Sequence, residues 1–147
     1  MRTKVHSFYP AATVCEFDCT GLSESSVSNE VSNCEYFDNN YVVFRCDRKC
    51  LLIHKQRGGG VFLALKSKLN PEMLNLNEII NVIPSIDIVG CKVRLGPQLV
   101  LYIIIIYIPP NLFLSDFEYF FELLDLYITD KKQILIMGDF NVSHWNN

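Results

Sequence analysis

The longest apolar run of this chain, residues 99–108, restricts the fold more than any other segment. A membrane-spanning helix needs about 20 consecutive apolar residues, so a run of ten is too short to cross a bilayer. Six of the ten residues are Ile or Val and two are Tyr. That composition favours a β-strand buried on both faces. The sequence therefore predicts a strand at the centre of a covered sheet and no membrane association.

Shorter patterns predict further strands and one helix around this run. Gly96-Pro97 is a turn signal that makes residues 86–95 the hairpin partner of residues 99–108. Three other strands are predicted at residues 41–45, 61–65 and 133–137, the last as a buried strand. The clearest helix opens with the capping box Ser115–Glu118 and carries one apolar face: Phe117, Phe120, Phe121, Leu124 and Ile128. This order of elements predicts a mixed, layered α/β domain.

Length and charge limit the classes of function. At 147 residues the chain is long enough for one domain, and half of its residues are apolar. A net charge of −3 argues against a protein that coats nucleic acid over a wide basic surface. One local basic cluster stands against a single acid, Asp47: Arg45, Arg48, Lys49, Lys55 and Arg57. It fits either a solvated connection or a small phosphate contact.

The six cysteines favour free thiols over a metal site or disulfides. Two pairs have C-x3-C spacing, but the apolar neighbours Val14, Phe17, Leu51 and Leu52 indicate strands or core rather than a zinc site. The first residues lack the apolar segment of a signal peptide, so we expect a reducing compartment without disulfides. The cysteines are Cys15, Cys19, Cys34, Cys46, Cys50 and Cys91.

Gly138-Asp139-Phe140-Asn141 directly follows the predicted strand of residues 133–137. A carboxylate such as Asp139 binds a hard cation or accepts a proton from water, and an amide such as Asn141 orients that water or holds a phosphate oxygen. Strand alternation predicts both side chains on one side and Phe140 on the other. Because Asp and Asn also form turns after strands, a purely structural turn stays open as an interpretation.

Three other segments share their order with a known family. Tyr107-Ile108-Pro109-Pro110 ends the apolar strand, Gly58-Gly59-Gly60 precedes a strand, and Leu22-Ser23-Glu24-Ser25 lies before residues 41–45. Together with Gly138–Asn141 they resemble the endonuclease/exonuclease/phosphatase superfamily. Within it, they look most like the endonuclease domain of insect-type non-LTR retrotransposon polyproteins. The resemblance is strongest over residues 20–147, so we interpret residues 1–147 as one partial domain.

The resemblance implies an α/β fold, a four-layer α-β-β-α sandwich that would be incomplete at both ends. It implies hydrolysis of DNA phosphodiesters with Mg²⁺, for which Mn²⁺ can substitute, and hence action on nuclear DNA. By the same resemblance Glu24 binds the metal, and Tyr107 contacts the scissile phosphate. Asp139 positions or deprotonates the attacking water, and Asn141 holds that water or a phosphoryl oxygen.

The sequence departs from the family pattern in two places. The family's asparagine on its first strand has no counterpart, because the first asparagine here is Asn29, after Glu24. The family's Ser-Asp-His element is also absent, since no aspartate follows Asn141 and His144 lies too near Asn141 to replace it. We therefore expect this isolated chain to be inactive or nearly so. A phosphatase on a small phosphorylated molecule and a non-catalytic relic or interaction fragment of a mobile element remain alternatives.

Overall fold

The structure, a computed structural model, describes residues 17–23, 37–47 and 60–142. These residues form seven strands and two α-helices, with a 3-10 turn at Ser67–Leu69. In chain order the elements are β1 (Cys19–Ser23), β2 (Tyr41–Cys46), β3 (Val61–Lys66), β4 (Glu72–Met73), α1 (Asn77–Val82), β5 (Asp87–Arg94), β6 (Val100–Tyr107), α2 (Leu114–Ile128) and β7 (Ile134–Asp139).

The strands form two sheets. The first sheet has the order β1-β3-β2, and both of its pairings are antiparallel. The second sheet has the order β4-β5-β6-β7, in which β5 and β6 are the predicted hairpin. The last pairing, between β6 and β7, is parallel because α2 crosses over between them. The α/β prediction is confirmed.

The two sheets pack face to face around one apolar core. This inter-sheet core is lined by alternate residues of β3, β5 and β6: Val61, Leu63, Leu65, Val89, Cys91, Val93, Ile103, Ile105 and Tyr107. Gly21 marks where β1 approaches the second sheet, since a Cβ there would lie 1.8 Å from Cδ1 of Ile105. The glycine thus allows β1 to lie flat against the other sheet.

Both helices cover the opposite face of the second sheet. Phe120 and Leu124 of α2 are buried against Ile88, Ile104 and Ile106 of the hairpin. Phe117, Phe121 and Ile128 pack against the same cluster, so the predicted apolar helix face is confirmed. Residues 103–108 are buried on both sides of the sheet, which confirms the prediction for that part of the apolar run. Its start is not buried: Leu99 is 43% exposed and residues 100–102 are partly exposed. Within the described ranges, no helix covers the outer face of the first sheet.

Three details of the sequence prediction were wrong. Strand β1 was not expected, because Cys19–Ser23 shows no alternation and is held by its register with β3 rather than by its own pattern. Helix α2 begins two residues earlier than the capping box predicted. Phe113 is the N-cap, with no side-chain cap, and its carbonyl accepts from the amides of Asp116 and Phe117. Ser115 therefore lies inside the first turn and makes no capping box. The third detail concerns β7.

Strand β7 is only partly buried, although its sequence predicted a buried strand. It lies at one margin of the second sheet as described, paired with β6 alone. Leu135 is 42% exposed, whereas its neighbour Ile136 packs on the helix side of the sheet. The apolar sequence correctly predicted a strand. Its burial was mispredicted because a strand's place in the sheet is set by the strands it pairs with, which its own sequence does not show. Among the described residues, neither helix is long and apolar enough to span a membrane.

Candidate phosphodiester site

Three side chains line up across the end of the second sheet. In the β5–β6 ladder Asp87 pairs with Tyr107, and in the β6–β7 ladder Tyr107 pairs with Asp139. Directly paired residues of adjacent strands project from the same face. We call Asp87, Tyr107 and Asp139 the strand-end row; it lies on the face that meets the first sheet, because Tyr107 belongs to the inter-sheet core.

A compact turn follows the row at the end of β7. The Asn141 backbone N–H donates to Oδ1 of Asp139 at 3.2 Å, and the Asn141 Nδ2 donates to the Ile108 carbonyl at 2.8 Å. The Ile108 N–H donates in turn to the Asp139 carbonyl at 2.8 Å. Asn141 has a φ of 45°, a left-handed conformation that asparagine tolerates better than most residues. These bonds fix the Asp139–Asn141 turn against the end of β6.

The two sides of the turn have different neighbours. Phe140 packs against the helix-side core, where its ring lies 6.3 Å from that of Phe121. Asp139 faces the opposite way, in the strand-end row. The predicted separation of Phe140 from Asp139 is therefore confirmed. Both Asp139 and Asn141 are half-buried, so each keeps part of its surface in contact with solvent.

Tyr107 is more enclosed than its place at a strand end suggested. The residue is 4% exposed and packs in the inter-sheet core. Packing of this kind fixes the orientation of the ring. A fixed ring suits a phenol whose hydroxyl has to keep one position to bind a ligand.

Asp87 is the member of the row that the sequence reading missed. It is 5% exposed, and it is the one buried charged side chain among the described residues. Its Oδ2 accepts the backbone N–H of Gly60 at 2.8 Å. An acid near the start of the strand that pairs with the apolar run was the available signal, because buried carboxylates require partners.

One predicted site residue, Glu24, lies outside the residues that the structure describes. It directly follows Ser23, the last residue of β1. Ser23 pairs with Val61, and Val61 follows Gly60, which is bonded to Asp87. The end of β1 and the strand-end row therefore lie at the same end of the sandwich.

Of the basic cluster, Arg45 is the member that lies within the described residues. Its guanidinium forms a part-buried bidentate pair with Asp47, with distances between 2.6 and 2.8 Å. Arg45 is thus held by the one acid of the cluster. The other basic members, Arg48, Lys49, Lys55 and Arg57, lie outside the described residues, as do Gly58, Gly59 and all three histidines.

The donors suit a hard cation only if Glu24 contributes. Within the ranges that the structure covers, no group of three or more His, Cys, Asp or Glu side chains is placed to hold a metal. Mg²⁺ keeps several of its waters and binds proteins through one or two carboxylates, so a pair of acids is sufficient. Asp139 is half-buried, and its Oδ1 accepts the Asn141 backbone N–H. This carboxylate fits the role of one acid of such a pair. Among the described residues Cys19, Cys46 and Cys91 are free thiols, as expected, and Cys46 pairs with Val61 at the end of the sandwich that carries the strand-end row.

Comparison with known proteins identifies the fold. No family model matches the chain, and no curated protein matches it. The solved structure of D. rerio TDP2 complexed with single strand DNA product aligns with a TM-score of 0.63 at 12% identity, covering 94% of this chain and 53% of that one.

Two further solved structures align over nearly the whole chain. The endonuclease domain of TRAS1, a telomere-specific non-LTR retrotransposon, gives a TM-score of 0.62 at 11% identity, with 98% of this chain and 58% of that one covered. The human Nocturnin catalytic domain with bound sulfate anion gives 0.57 at 12% identity, with 97% and 58% covered.

These alignments define the class of fold. The chain has the two-sheet α/β fold of the endonuclease/exonuclease/phosphatase superfamily, as its motifs predicted, and a retrotransposon endonuclease domain is among the structures that share it. The chain spans little more than half the length of these structures, between 53% and 58%.

Proposed function

We propose that this chain carries part of a metal-dependent phosphodiester hydrolase of the DNA endonuclease type, derived from a retrotransposon. The observation that supports it most is the pairing of Tyr107 with Asp139 at the ends of β6 and β7. Asn141 is tied back to Ile108 beside them. Residues that carry a phenol, a carboxylate and an amide thus lie next to one another at one end of the sheet. Such groups can bind the water and the phosphate oxygens during hydrolysis of a phosphate ester.

In this proposal the metal is held by Glu24 and Asp139. Glu24 directly follows Ser23, which pairs with Val61. Val61 is adjacent to Gly60, whose N–H donates to Asp87. Carboxylates from both sheets would then face one cation across the end of the sandwich. Mg²⁺, or Mn²⁺ in its place, would neutralise charge on the phosphoryl oxygens and on the leaving oxygen.

The chain's own residues would bind and orient the reactants. As a ligand of the metal, the Asp139 carboxylate would help to position the attacking water in line with the phosphorus, and the cation would lower the pKa of that water. Tyr107 donates its phenol hydrogen to a non-bridging phosphate oxygen, and its packed ring spares the cost of ordering it. The Asn141 turn is already fixed by the Ile108 carbonyl, so its remaining amide groups would meet the water or a phosphoryl oxygen without rearrangement.

The isolated chain is proposed to have little or no turnover. Its 147 residues contain no Asp-His pair after Asn141, and a histidine held by an aspartate is what the resembled family uses to stabilise the phosphate. Removing a general acid or base typically lowers a rate by about 10²–10⁴. We therefore propose that residues 1–147 carry the water-positioning side of the site.

DNA is the preferred substrate class in this proposal. The TDP2 structure is a complex with a single-stranded DNA product, and the TRAS1 structure is the endonuclease domain of a telomere-specific non-LTR retrotransposon. A small phosphorylated molecule is the second candidate, because the Nocturnin structure with the same fold holds a sulfate anion. A non-catalytic relic is the third, and it would leave the site without metal or phosphate binding.

Metal-dependent binding of DNA tests the proposal without requiring turnover. Fluorescence anisotropy of a labelled DNA duplex is measured with Mg²⁺ and with EDTA for the wild type, Asp139→Ala and Asp130→Ala. Asp130 is an exposed acid that precedes β7 at its other end, so its variant makes the same change of charge away from the site. We expect Mg²⁺ to strengthen binding for the wild type and Asp130→Ala, and this gain to disappear in Asp139→Ala. An equal response to Mg²⁺ in all three proteins would contradict the site.

Plasmid nicking and phosphate release complete the comparison. With Mg²⁺ we expect at most trace nicking by the isolated chain. Robust nicking that vanishes in Asp139→Ala would overturn the proposed inactivity while supporting the site. Release of inorganic phosphate from a small phosphate ester, with no effect of Mg²⁺ on DNA binding, would favour the phosphatase.

A further inference from the structure

A second group of polar side chains lies toward the other end of the second sheet. Tyr102 and Tyr107 are both on β6, and five strand residues span about 17 Å. In the β5–β6 ladder Lys92 pairs with Tyr102, so the two side chains project from the same face. Tyr102 packs against the helix-side core, whereas Tyr107 faces the first sheet. This group is therefore separate from the strand-end row.

The end of α2 lies over this part of the sheet. Tyr127, in its last turn, packs against the same helix-side core as Tyr102. The Lys131 Nζ lies 4.0 Å from the centre of the Tyr127 ring and 5.6 Å from that of the Tyr102 ring, and it donates to the Tyr127 carbonyl. Lys131 thus holds the two rings side by side through cation–π contacts.

The hydroxyls of these rings lie near two further cations of β5. Burial raises the pKa of Tyr127, the Tyr102 phenol raises it further and Lys92 lowers it, so these three groups lie close together. Arg94 is two residues along β5 from Lys92, on the same face, and is exposed. We call this surface the helix-end patch; its members are Lys92, Arg94, Tyr102, Tyr127, Lys131 and Lys132.

Within the described residues, the helix-end patch has more cations than paired acids. The basic side chains described elsewhere are each paired with an acid: Arg45 with Asp47, and Lys66 and Lys68 with Asp18. In the patch Lys92 pairs with Glu72 at 2.9 Å. Arg94, Lys131 and Lys132 form no ion pair with a described acid. The patch is therefore an anion-attracting surface on a chain whose net charge is −3.

We propose that the helix-end patch binds the phosphodiester backbone of a nucleic-acid strand, with phosphates on Arg94 and Lys132 and a phosphate oxygen on the Tyr127 hydroxyl. Arginine, lysine and tyrosine side chains are among the groups that contact phosphates in protein–nucleic acid complexes. Cations set beside aromatic rings are also typical of surfaces that follow single strands. The inference goes beyond the proposed function, since this binding needs neither a metal ion nor the strand-end row.

Three substitutions test the patch without truncating the core. Arg94→Ala and Lys132→Ala each remove an exposed cation. Tyr127→Phe removes a hydroxyl and keeps the ring beside Lys131. Lys68→Ala is the matched control, because this lysine is outside the patch, its side chain is 65% exposed and its loss makes the same change of charge. Thermal melting checks that each variant is folded.

The experiment measures fluorescence anisotropy of labelled single-stranded oligothymidylate with the full chain, in EDTA and over a series of salt concentrations. We expect the wild type to bind, and each of the three patch variants to weaken binding by about threefold or more. Arg94→Ala and Lys132→Ala should each lower the slope of log affinity against log salt by about 0.7, the value for one phosphate contact on a single strand. Lys68→Ala and Asp139→Ala should bind like the wild type.

The outcomes separate this inference from the proposed function. Absence of binding by the wild type in EDTA would overturn the inference alone, and so would wild-type affinity in the patch variants or equal weakening by Lys68→Ala. Loss of binding in Asp139→Ala would place the strand at the strand-end row instead. Binding to phosphatidylserine vesicles but not to oligothymidylate would identify a lipid surface and overturn the nucleic-acid assignment. Patch binding that persists while Mg²⁺ has no effect on duplex binding would overturn the proposed function alone.

Discussion

Tyr107 and Asp139 lie opposite each other at the carboxyl ends of two parallel strands, β6 and β7. This pairing is available because the β6–β7 connection runs through α2 and brings β7 back in the same direction. In open α/β sheets, ligands bind outside the carboxyl ends of the strands. The crossover therefore places two candidate phosphate-binding groups at one edge, far apart in sequence and adjacent in space.

Gly138 makes this pairing possible, and its replacement is expected to be costly. Its φ is 146°, and a Cβ there would lie 1.8 Å from the Ile106 carbonyl oxygen. Gly138→Ala should reduce the free energy of unfolding by at least about 2 kcal/mol, because the obstacle is backbone that cannot rotate away. Urea denaturation measures the change.

Gly96→Ala is the control for that substitution. A Cβ at Gly96, in the β5–β6 turn, would have Leu99 Cβ as its nearest neighbour at 3.8 Å, an ordinary contact. We expect a change within about 0.5 kcal/mol. Similar losses in the two variants would contradict the close approach of Gly138 to β6.

The Asn141 side chain is expected to stabilise the turn through the Ile108 carbonyl. Asn141→Ala removes that bond and puts at a φ of 45° a residue that tolerates this conformation less well than asparagine, so it should cost about 1–2 kcal/mol. Asn141→Gly removes the same bond but relieves the backbone, so it should cost less than the alanine variant. Equal stability of Asn141→Ala and wild type in chemical denaturation would show that the turn does not depend on this contact.

The Cys91 thiol should make the fold sensitive to alkaline pH. Burial, with a smaller effect of Cys19, raises the pKa of Cys91 from 9.0 to about 12. The unfolded chain then loses this proton at lower pH than the folded chain. The contribution to stability is fully present below about pH 9 and is lost as pH rises toward about 12.

Urea unfolding at two pH values measures this contribution. Between pH 9 and pH 10 the wild type should lose about 1 kcal/mol more than Cys91→Ala. Val93→Ala, a buried truncation on the same strand and face, should keep the wild-type pH dependence. The same slope in Cys91→Ala and wild type would contradict the assignment.

The margin formed by β7 is expected to promote self-association. Among the described strands β7 pairs with β6 alone, and Leu135 on β7 is 42% exposed. Strand margins without a partner invite pairing with other chains. Leu135→Lys should reduce light scattering of concentrated samples without lowering the melting temperature. Leu126→Lys alters a side chain that is 75% exposed on α2, away from the strand, and should have a smaller effect. Equal reduction by both variants would point to exposed apolar surface in general.

The sequence predicted the elements whose pattern is local. The hairpin of β5 and β6 and the apolar face of α2 follow from composition and periodicity, and the end of β7 from the Gly138–Asn141 motif. Strand β1 carries no pattern of its own and depends on β3. The burial of Asp87 depends on Gly60, 27 residues away, so no local reading could have found that contact.

The motifs gave the candidate site only in part. Asp139 and Tyr107 were identified by their neighbours in sequence, and the structure places them in direct register. The direction of the β6–β7 pairing and the use of the Asn141 amide by Ile108 came from the fold. The roles assigned to Glu24, Tyr107, Asp139 and Asn141 stay predictions until metal and phosphate binding are measured.

The central claim is that the Asp139 turn binds a divalent cation, and paramagnetic broadening by Mn²⁺ tests it most directly. In ¹⁵N-labelled chain, low concentrations of Mn²⁺ should broaden the backbone amide signals of Gly138, Asp139 and Asn141 first. Excess Mg²⁺ should reverse the effect, and Asp139→Asn should abolish it. Broadening that instead begins at exposed acids elsewhere, such as Asp130, and survives in Asp139→Asn would contradict the account.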